Sequence, residues 1–339
     1  MKATTTMPED AALPGLVAIC AMGLAAVMPE LGLEGVPVEL LLCGYTRGKR
    51  AALEVRTAHR HFAVKAYAND LSREVALYQA LAAELGGDSG AHVPPLLAWN
   101  RELRLEVIGW LDGPTAQTLV ERGQGRRAGE LAVRWLHCAA SLAVKLGPAL
   151  GAAQVLERSS RWAAKLGAAD PALGNLGVSL ARILERTQPK AREPHLLHGA
   201  LYARHLLDLG DGPGLIDWDG FGQGPLEFDA GVFLATIWIF GVRKPLLAEE
   251  AARAAKAFLS GTAGWLDEQA LAWYWAAALL HLAERGAKPT ARRPDEWKQR
   301  AQTVLEEAAR LATAPAGIFD RTVIAKETHA TEVASQPVN

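Results

Sequence analysis

The sequence predicts an α+β fold in two lobes: a small lobe of antiparallel strands with one helix, then a larger, mainly helical lobe. Three observations carry that expectation. Short apolar or alternating runs crowd the first 110 residues, the texture from Thr115 onward is helical, and one hairpin interrupts the helices near Asp211. At 339 residues, half of them apolar, the chain has the length and the core-forming content of about two domains.

The first element is Leu13–Pro29, a run of 17 residues without charge. It is rich in Ala and Gly, carries Pro14 and follows Glu9 and Asp10. A spanning helix needs about 20 strongly apolar residues, and a signal peptide needs positive charge upstream. The run therefore reads as a buried helix packed on the first lobe, in a cytoplasmic protein. Val38–Cys43, Arg50–Thr57 and His61–Tyr67 alternate or are apolar, with Gly44, Gly48 and His59-Arg60 between them, which predicts an antiparallel meander. Leu71–Leu85 has apolar residues at three- and four-residue intervals, the period of a helix, and Gly86, Gly87 and Gly90 end it. Strands follow around Val93–Trp99 and Leu103–Trp110.

Beyond Thr115, helices are predicted at Gly129–Lys145, Gln154–Lys165, Val178–Arg186, Leu246–Leu259, Glu268–Arg285 and Pro294–Thr313, with Pro148, Pro171 and Pro189 as breaks. Leu206–Asp219 reads as a hairpin around a DGPG turn. The expected organisation is an N-terminal helical extension (residues 1–36), a strand-rich lobe (37–110), a helical lobe (111–321) and a disordered tail (322–339) lacking periodicity. Small ligands favour clefts between such lobes.

Composition narrows the partners. The 36 basic and 37 acidic residues nearly cancel, and the run Arg47, Lys49, Arg50 is too short to make a nucleic-acid or anionic-lipid surface. Three distant cysteines, Cys20, Cys43 and Cys138, form no CxxC pair and suit a reducing compartment. The expected partners are small molecules, with no nucleic acid and no membrane. Monomer and homodimer both stay open.

Two sets of residues carry chemistry. Lys65 lies inside an apolar strand, and Glu74 follows near the start of the next helix, as in kinases that hold nucleotide phosphates with a strand lysine braced by a helix glutamate. Downstream, His198-Gly199-Ala200-Leu201-Tyr202-Ala203-Arg204-His205 is followed by the hairpin, by Leu215-Ile216-Asp217-Trp218-Asp219 and by Gly224-Pro225-Leu226-Glu227-Phe228-Asp229. A carboxylate at the end of a packed strand, Asp217, has the hard oxygen donors that magnesium prefers. His195, His198 and His205 match no standard zinc spacing.

This order resembles the aminoglycoside phosphotransferase and choline kinase family, which has a protein-kinase-like fold. The resemblance spans roughly Leu40 to Arg285 and is densest in Leu196–Ala235. It implies ATP and Mg2+ as cofactors and a small molecule bearing a hydroxyl as acceptor. Lys65, Glu74 and the glycine turn Gly44–Gly48 are implied to hold nucleotide, with Arg47 or Lys49 adding charge. Backbone around Ile108 and Trp110 is implied as the adenine-binding hinge, Asp217 as a metal ligand and Asp229 as a loop brace. His198, as a brace of the same loop, and Arg204 are implied as catalytic-site residues with the Ala200 position. Asp219 either assists the metal or caps the next turn. Two positions depart from the family pattern: Ala200 stands where the family has its catalytic aspartate, and His205 where it has a magnesium-binding asparagine. Three readings follow: an ATP-dependent phosphotransferase on an antibiotic- or sugar-like hydroxyl, a nucleotide-binding pseudokinase, and an engineered inactive form of an active kinase.

Overall fold

Alternation in the N-terminal strands builds the first of two compact units in the computed structural model, which describes residues 7–85, 90–287, 294–314 and 317–318. Strands β1 (Glu39–Thr46), β2 (Arg50–Arg56), β3 (His61–Tyr67), β4 (Leu96–Asn100) and β5 (Leu105–Gly109) form one antiparallel sheet in the order β1-β2-β3-β5-β4. Because side chains alternate between faces, Leu53 and Val55 of β2, Phe62, Val64 and Ala66 of β3, and Leu105 and Val107 of β5 share one buried face. The charge-free run covers it as α1 (Pro14–Met22) and α2 (Leu24–Val27), through Leu13, Leu16, Ile19, Leu24 and Met28. Gly23, at φ +82°, turns the chain between them. Among the described residues no helix is long and apolar enough to cross a membrane.

The other face of the sheet carries the polar side chains. Register places Ala52, Lys65 and Glu106 in one cross-strand row and Arg50 opposite Tyr67. Helix α3 (Ser72–Leu85) buries Val75, Tyr78 and Leu81, its i, i+3 and i+6 positions. Residues Gly214–Asp219 also belong to this unit: Leu215 N–H donates to His92 O at 2.9 Å, and Gly214 bridges His92. The first unit thus spans Met1–Gly113 plus Gly214–Asp219. These bounds differ from the expected ones by taking in the N-terminal helices and the strand end that carries Asp217.

The second unit is helical, with α4 (Ala116–Glu121), α5 (Gly125–Ser141), α6 (Ala152–Ala169) and α7 (Pro171–Arg186). Short strands β6 (His195–Leu197), β7 (Leu206–Asp208), β8 (Pro213–Leu215) and β9 (Gly222–Gly224) follow, then α8 (Leu226–Arg243), α9 (Ala248–Thr262), α10 (Glu268–Gly286) and α11 (Pro294–Thr313). The hairpin turn is closed by Leu209 N–H donating to Gly212 O at 3.1 Å, and β6 pairs antiparallel with β9. Caps set several helix starts. Asp170 accepts from Ala172 N and Leu173 N ahead of α7, and Asp267 accepts from Ala270 N ahead of α10.

Several elements depart from the sequence-based expectation. Helix α7 begins at Pro171 rather than Val178, the proline standing at its first position instead of breaking it, and α6 runs longer at both ends. Helix α5 begins four residues earlier than expected and ends at Ser141. The six-residue α4 is too short to show a period of its own within the helical texture after Thr115. Helix α8 is not among the expected helices: with Phe233, Leu234, Ala235, Ile237 and Ile239 buried around its circumference, it has no polar stripe to reveal a helical period. The tail expected at 322–339 lies outside the described residues.

Candidate functional site

In the first unit, strand β3 and the segment after β8 converge on a compact charge cluster. Asp217 sits at φ +67°, a left-handed backbone uncommon for a non-glycine residue, at the point where the strand gives way to a short 3-10 turn. Lys65 Nζ lies 3.6 Å from Asp217 Oδ1 and 3.3 Å from Asp219 Oδ1. Arg50 Nη1 reaches Asp217 Oδ1 at 3.0 Å and also pairs directly with Asp219. The Tyr67 hydroxyl donates to Asp219 Oδ1 at 3.0 Å. Two carboxylates are therefore matched by two cations, with Lys65 itself buried.

The expected Lys65–Glu74 ion pair does not form. Lys65 turns to Asp217 and Asp219, while Glu74 Oε2 is buried without a hydrogen-bond partner. The two aspartates after β8 take the lysine instead, while Glu106, fully buried, lies opposite it in the cross-strand row. Burial pushes the Glu106 carboxyl up to about 7, against the pull of the Lys65 charge. Its Oε2 lies 3.4 Å from the Tyr67 oxygen. Arg50, Tyr67 and Glu106 were not singled out from the sequence. The signal was present, since alternation from Lys65 puts Tyr67 on the same face and register puts Arg50 opposite it.

The glycine turn is tighter than expected. Strand β1 runs through Gly44, past a register shift between Leu42 and Gly44, so the turn shrinks to Arg47–Lys49 around Gly48 at φ +65°. The Gly48 N–H donates to Asp10 Oδ2 at 2.7 Å, and the Tyr45 hydroxyl donates to the same oxygen at 2.9 Å. At the expected hinge, Ile108 is buried and paired on both sides, with Ala63 and Leu96, and the Gly109 N–H donates to Pro95 O at 2.8 Å. Trp110 stacks on His61 at 4.3 Å, and His61 Nε2 lies 2.8 Å from Glu54 Oε1. The strand pairing of β5 thus runs through Ile108 and ends at Gly109, just before Trp110.

In the second unit, the loop from His198 to His205 is braced from below. Asp229 at the start of α8 is buried, and its Oδ2 and Oδ1 accept from His198 N at 2.7 Å and Gly199 N at 2.9 Å. Burial lifts this carboxyl to about 7 despite those two bonds. Gly199, at φ +73°, passes so close to the Gly220 carbonyl that no side chain fits there. Ala200 offers a methyl group and a backbone carbonyl, and the carbonyl lies 3.0 Å from His205 Nδ1. His198 and His205 are both buried, with ring centroids 5.7 Å apart. Arg204 is exposed and lies over the Tyr202 ring at 4.4 Å. His195 is held in β6, and among the described residues no group of three or more His, Cys, Asp or Glu is placed to hold a metal.

Comparison with known proteins bears on the family and the fold. A model of the APH phosphotransferase enzyme family matches residues 46–274. A thermostable mutant of aminoglycoside phosphotransferase APH(4)-Ia, solved with ADP and hygromycin B, superposes with a TM-score of 0.58 at 13% identity, covering 86% of this chain and 98% of that one. Plasmodium vivax ethanolamine kinase gives 0.55 at 11% identity over 89% and 90% of the two chains. A putative aminoglycoside phosphotransferase from Ralstonia eutropha gives 0.52 at 16% over 85% and 98%. At these identities the structures establish a shared fold. Comparison with curated proteins found no match.

Proposed function

Taking as its premise that the chain belongs to the phosphotransferase enzyme family, we propose that it binds ATP through the first unit and passes the γ-phosphate to a hydroxyl of a small molecule. The observation that supports this most is the meeting of Lys65 with Asp217 and Asp219 at 3.6 and 3.3 Å. A buried lysine beside strand-end carboxylates is what phosphoryl transfer requires: a fixed cation for phosphate oxygens and hard donors for a divalent ion. In this reading Trp110 and the backbone after it receive the adenine, and the turn at Gly48 covers phosphate once Asp10 releases its amide. The neighbours solved with ADP, including aminoglycoside phosphotransferase APH(2'')-Ib, favour a nucleotide at the corresponding place.

The donor set fits magnesium by chemistry, since Asp217 and Asp219 present carboxylate oxygens, with Arg50 as an internal competitor for them. Magnesium, when bound, neutralises phosphate charge. The protein's own contribution is positional: Lys65 orients phosphate, and the Asp229 brace fixes the loop that presents Ala200 and Arg204. His205 engages the Ala200 carbonyl through Nδ1, and imidazole suits softer metals than magnesium. Ala200 neither orients a hydroxyl nor accepts its proton. General-base assistance is worth about 10²–10⁴ in rate, so transfer by this chain is slow.

A second reading, a nucleotide-binding pseudokinase, is favoured by the closed pairing of Arg50 with both aspartates. Comparing the chain with its Ala200→Asp variant separates the two. Under the first reading both forms bind ATP with magnesium, and turnover on a panel of hydroxylated compounds rises by about 10²–10⁴ in the variant. Binding without turnover in either form supports the pseudokinase. Loss of nucleotide binding on Lys65→Ala is expected under both readings, and failure of either form to bind nucleotide overturns both.

A further inference from the structure

The turn between β1 and β2 already holds an anion, and that anion belongs to the chain itself. The Gly48 N–H and the Tyr45 hydroxyl both donate to Asp10 Oδ2, at 2.7 and 2.9 Å, and Arg47 adds positive charge beside it. The bond from the Gly48 amide outweighs desolvation and holds the Asp10 carboxyl below its usual range, so it is ionised at neutral pH. A backbone N–H at a left-handed glycine, a hydroxyl and a nearby guanidinium suit any oxyanion, phosphate as well as carboxylate. The carboxylate is also tethered. Its Oδ1 accepts from Ala12 N at 3.1 Å, and the Asp10 carbonyl accepts from Leu13 N at 3.0 Å, which ties it to the start of α1. Leu13 and Leu16, fully buried against the sheet, fix that start in turn. The region matched to the family begins at residue 46, so Asp10 stands outside it.

We propose that Asp10 is an autoinhibitory latch: its carboxylate occupies the Gly48 amide and the Tyr45 hydroxyl as an internal competitor, and nucleotide phosphate must displace it. This rests on the proposed function, in which the turn at Gly48 covers phosphate. Only molecules with the latch open bind, so a latch closed in about nine molecules of ten weakens apparent affinity about tenfold. The N-terminal extension then does more than cover the sheet, because it sets how readily the turn accepts phosphate. A carboxylate that merely pinned the turn in place would have the opposite effect. Its removal would loosen the turn and leave phosphate affinity unchanged or lower.

Calorimetric titration of the full chain with ATP and with tripolyphosphate, both in magnesium, tests it in Asp10→Ala and Asp10→Asn. Tripolyphosphate carries the phosphate chemistry without a base, so it judges the latch apart from the nucleotide reading. Asp10→Ala is expected to bind both probes about tenfold more tightly than the unaltered chain. Asp10→Asn, which keeps the shape of the side chain and removes its charge, shifts in the same direction. Should Asp10→Ala fail to fold, Asp10→Asn decides alone. Glu9→Gln removes the same charge one residue away, from an exposed side chain, and is expected to leave both affinities unchanged. An equal gain in Glu9→Gln would mean a general charge effect, and this overturns the inference. So does tripolyphosphate binding that is absent, unchanged or weaker in Asp10→Asn. Tighter tripolyphosphate binding in the Asp10 variants, with ATP bound by no form, keeps the latch and counts against the nucleotide reading.

Discussion

Arg50 occupies the place where charge on the two aspartates is decided. Its guanidinium pairs with Asp217 at 3.0 Å and with Asp219, while Lys65 faces both. A divalent ion entering that cluster must displace a guanidinium already bound, which costs part of its own binding energy. Arg50→Ala is therefore expected to raise the dependence of ADP affinity on magnesium by about tenfold, the equivalent of about 1.4 kcal/mol of competition. Titrations with magnesium and with a chelator measure that ratio, and an unchanged ratio would show that Arg50 does not compete. Lys65 and Asp217 were legible from the sequence because one stands in an apolar strand and the other ends one. Arg50, Tyr67 and Glu106 were not, since each reads alone as an ordinary strand residue and only the register of β2, β3 and β5 brings them together. The misplaced Lys65–Glu74 pair has the same origin: spacing along the chain does not show that Asp217 and Asp219, about 150 residues on, reach the lysine.

Amphipathic helices were legible, and so was the enclosed α10, but the enclosed α8 was not. Helices α5, α6 and α7 show a buried stripe against a polar one, so their periods stand out. Helices α8 and α10 pack face to face in the middle of the second unit, and burial all round erases the pattern in α8. Their contact depends on Gly231, where an added methyl group would lie 2.6 Å from Trp275 N. Backbone on a packed helix cannot swing away as a side-chain tip does. Gly231→Ala is expected to destabilise the protein by about 1–3 kcal/mol through overpacking. Gly167→Ala, on α6, meets only Gly174 Cα at an ordinary 3.6 Å. It is expected to be neutral or to stabilise by up to about 1 kcal/mol, from helix propensity alone. Chemical denaturation of both variants checks the contrast, and equal effects would mean that the α8–α10 contact is looser than its geometry indicates.

Two buried carboxyls and one half-buried histidine shape the stability of the whole molecule against pH. Glu106 is raised from 4.5 to about 7 and Asp229 from 3.8 to about 7, both chiefly by burial, whereas burial lowers His281 from 6.5 to about 4. Between about pH 4.5 and 6.5 the folded chain keeps two carboxyl protons that the unfolded chain has released, so these groups lose stability as pH rises toward 7. Over the same window the unfolded chain binds a proton on His281 that the folded chain excludes, and this offsets one of the two. The net is about one extra proton on the folded chain, a fall of about 1.4 kcal/mol per pH unit in mid-window. Below that window the sign reverses, because Asp208, held low by its hydrogen bond from Arg127, loses its contribution as pH falls through its folded pKa. Guanidinium unfolding at about pH 5, 6 and 7 should therefore show stability falling across the series. Glu106→Gln removes one of the two retained protons and leaves Asp229 and His281 nearly balanced, so its profile should be close to flat up to about pH 6.5. A wild-type profile that instead climbs through this range would mean that Glu106 and Asp229 are ionised in the fold. Lys65 and the backbone amides of His198 and Gly199 would then outweigh burial at the two places that hold the site together.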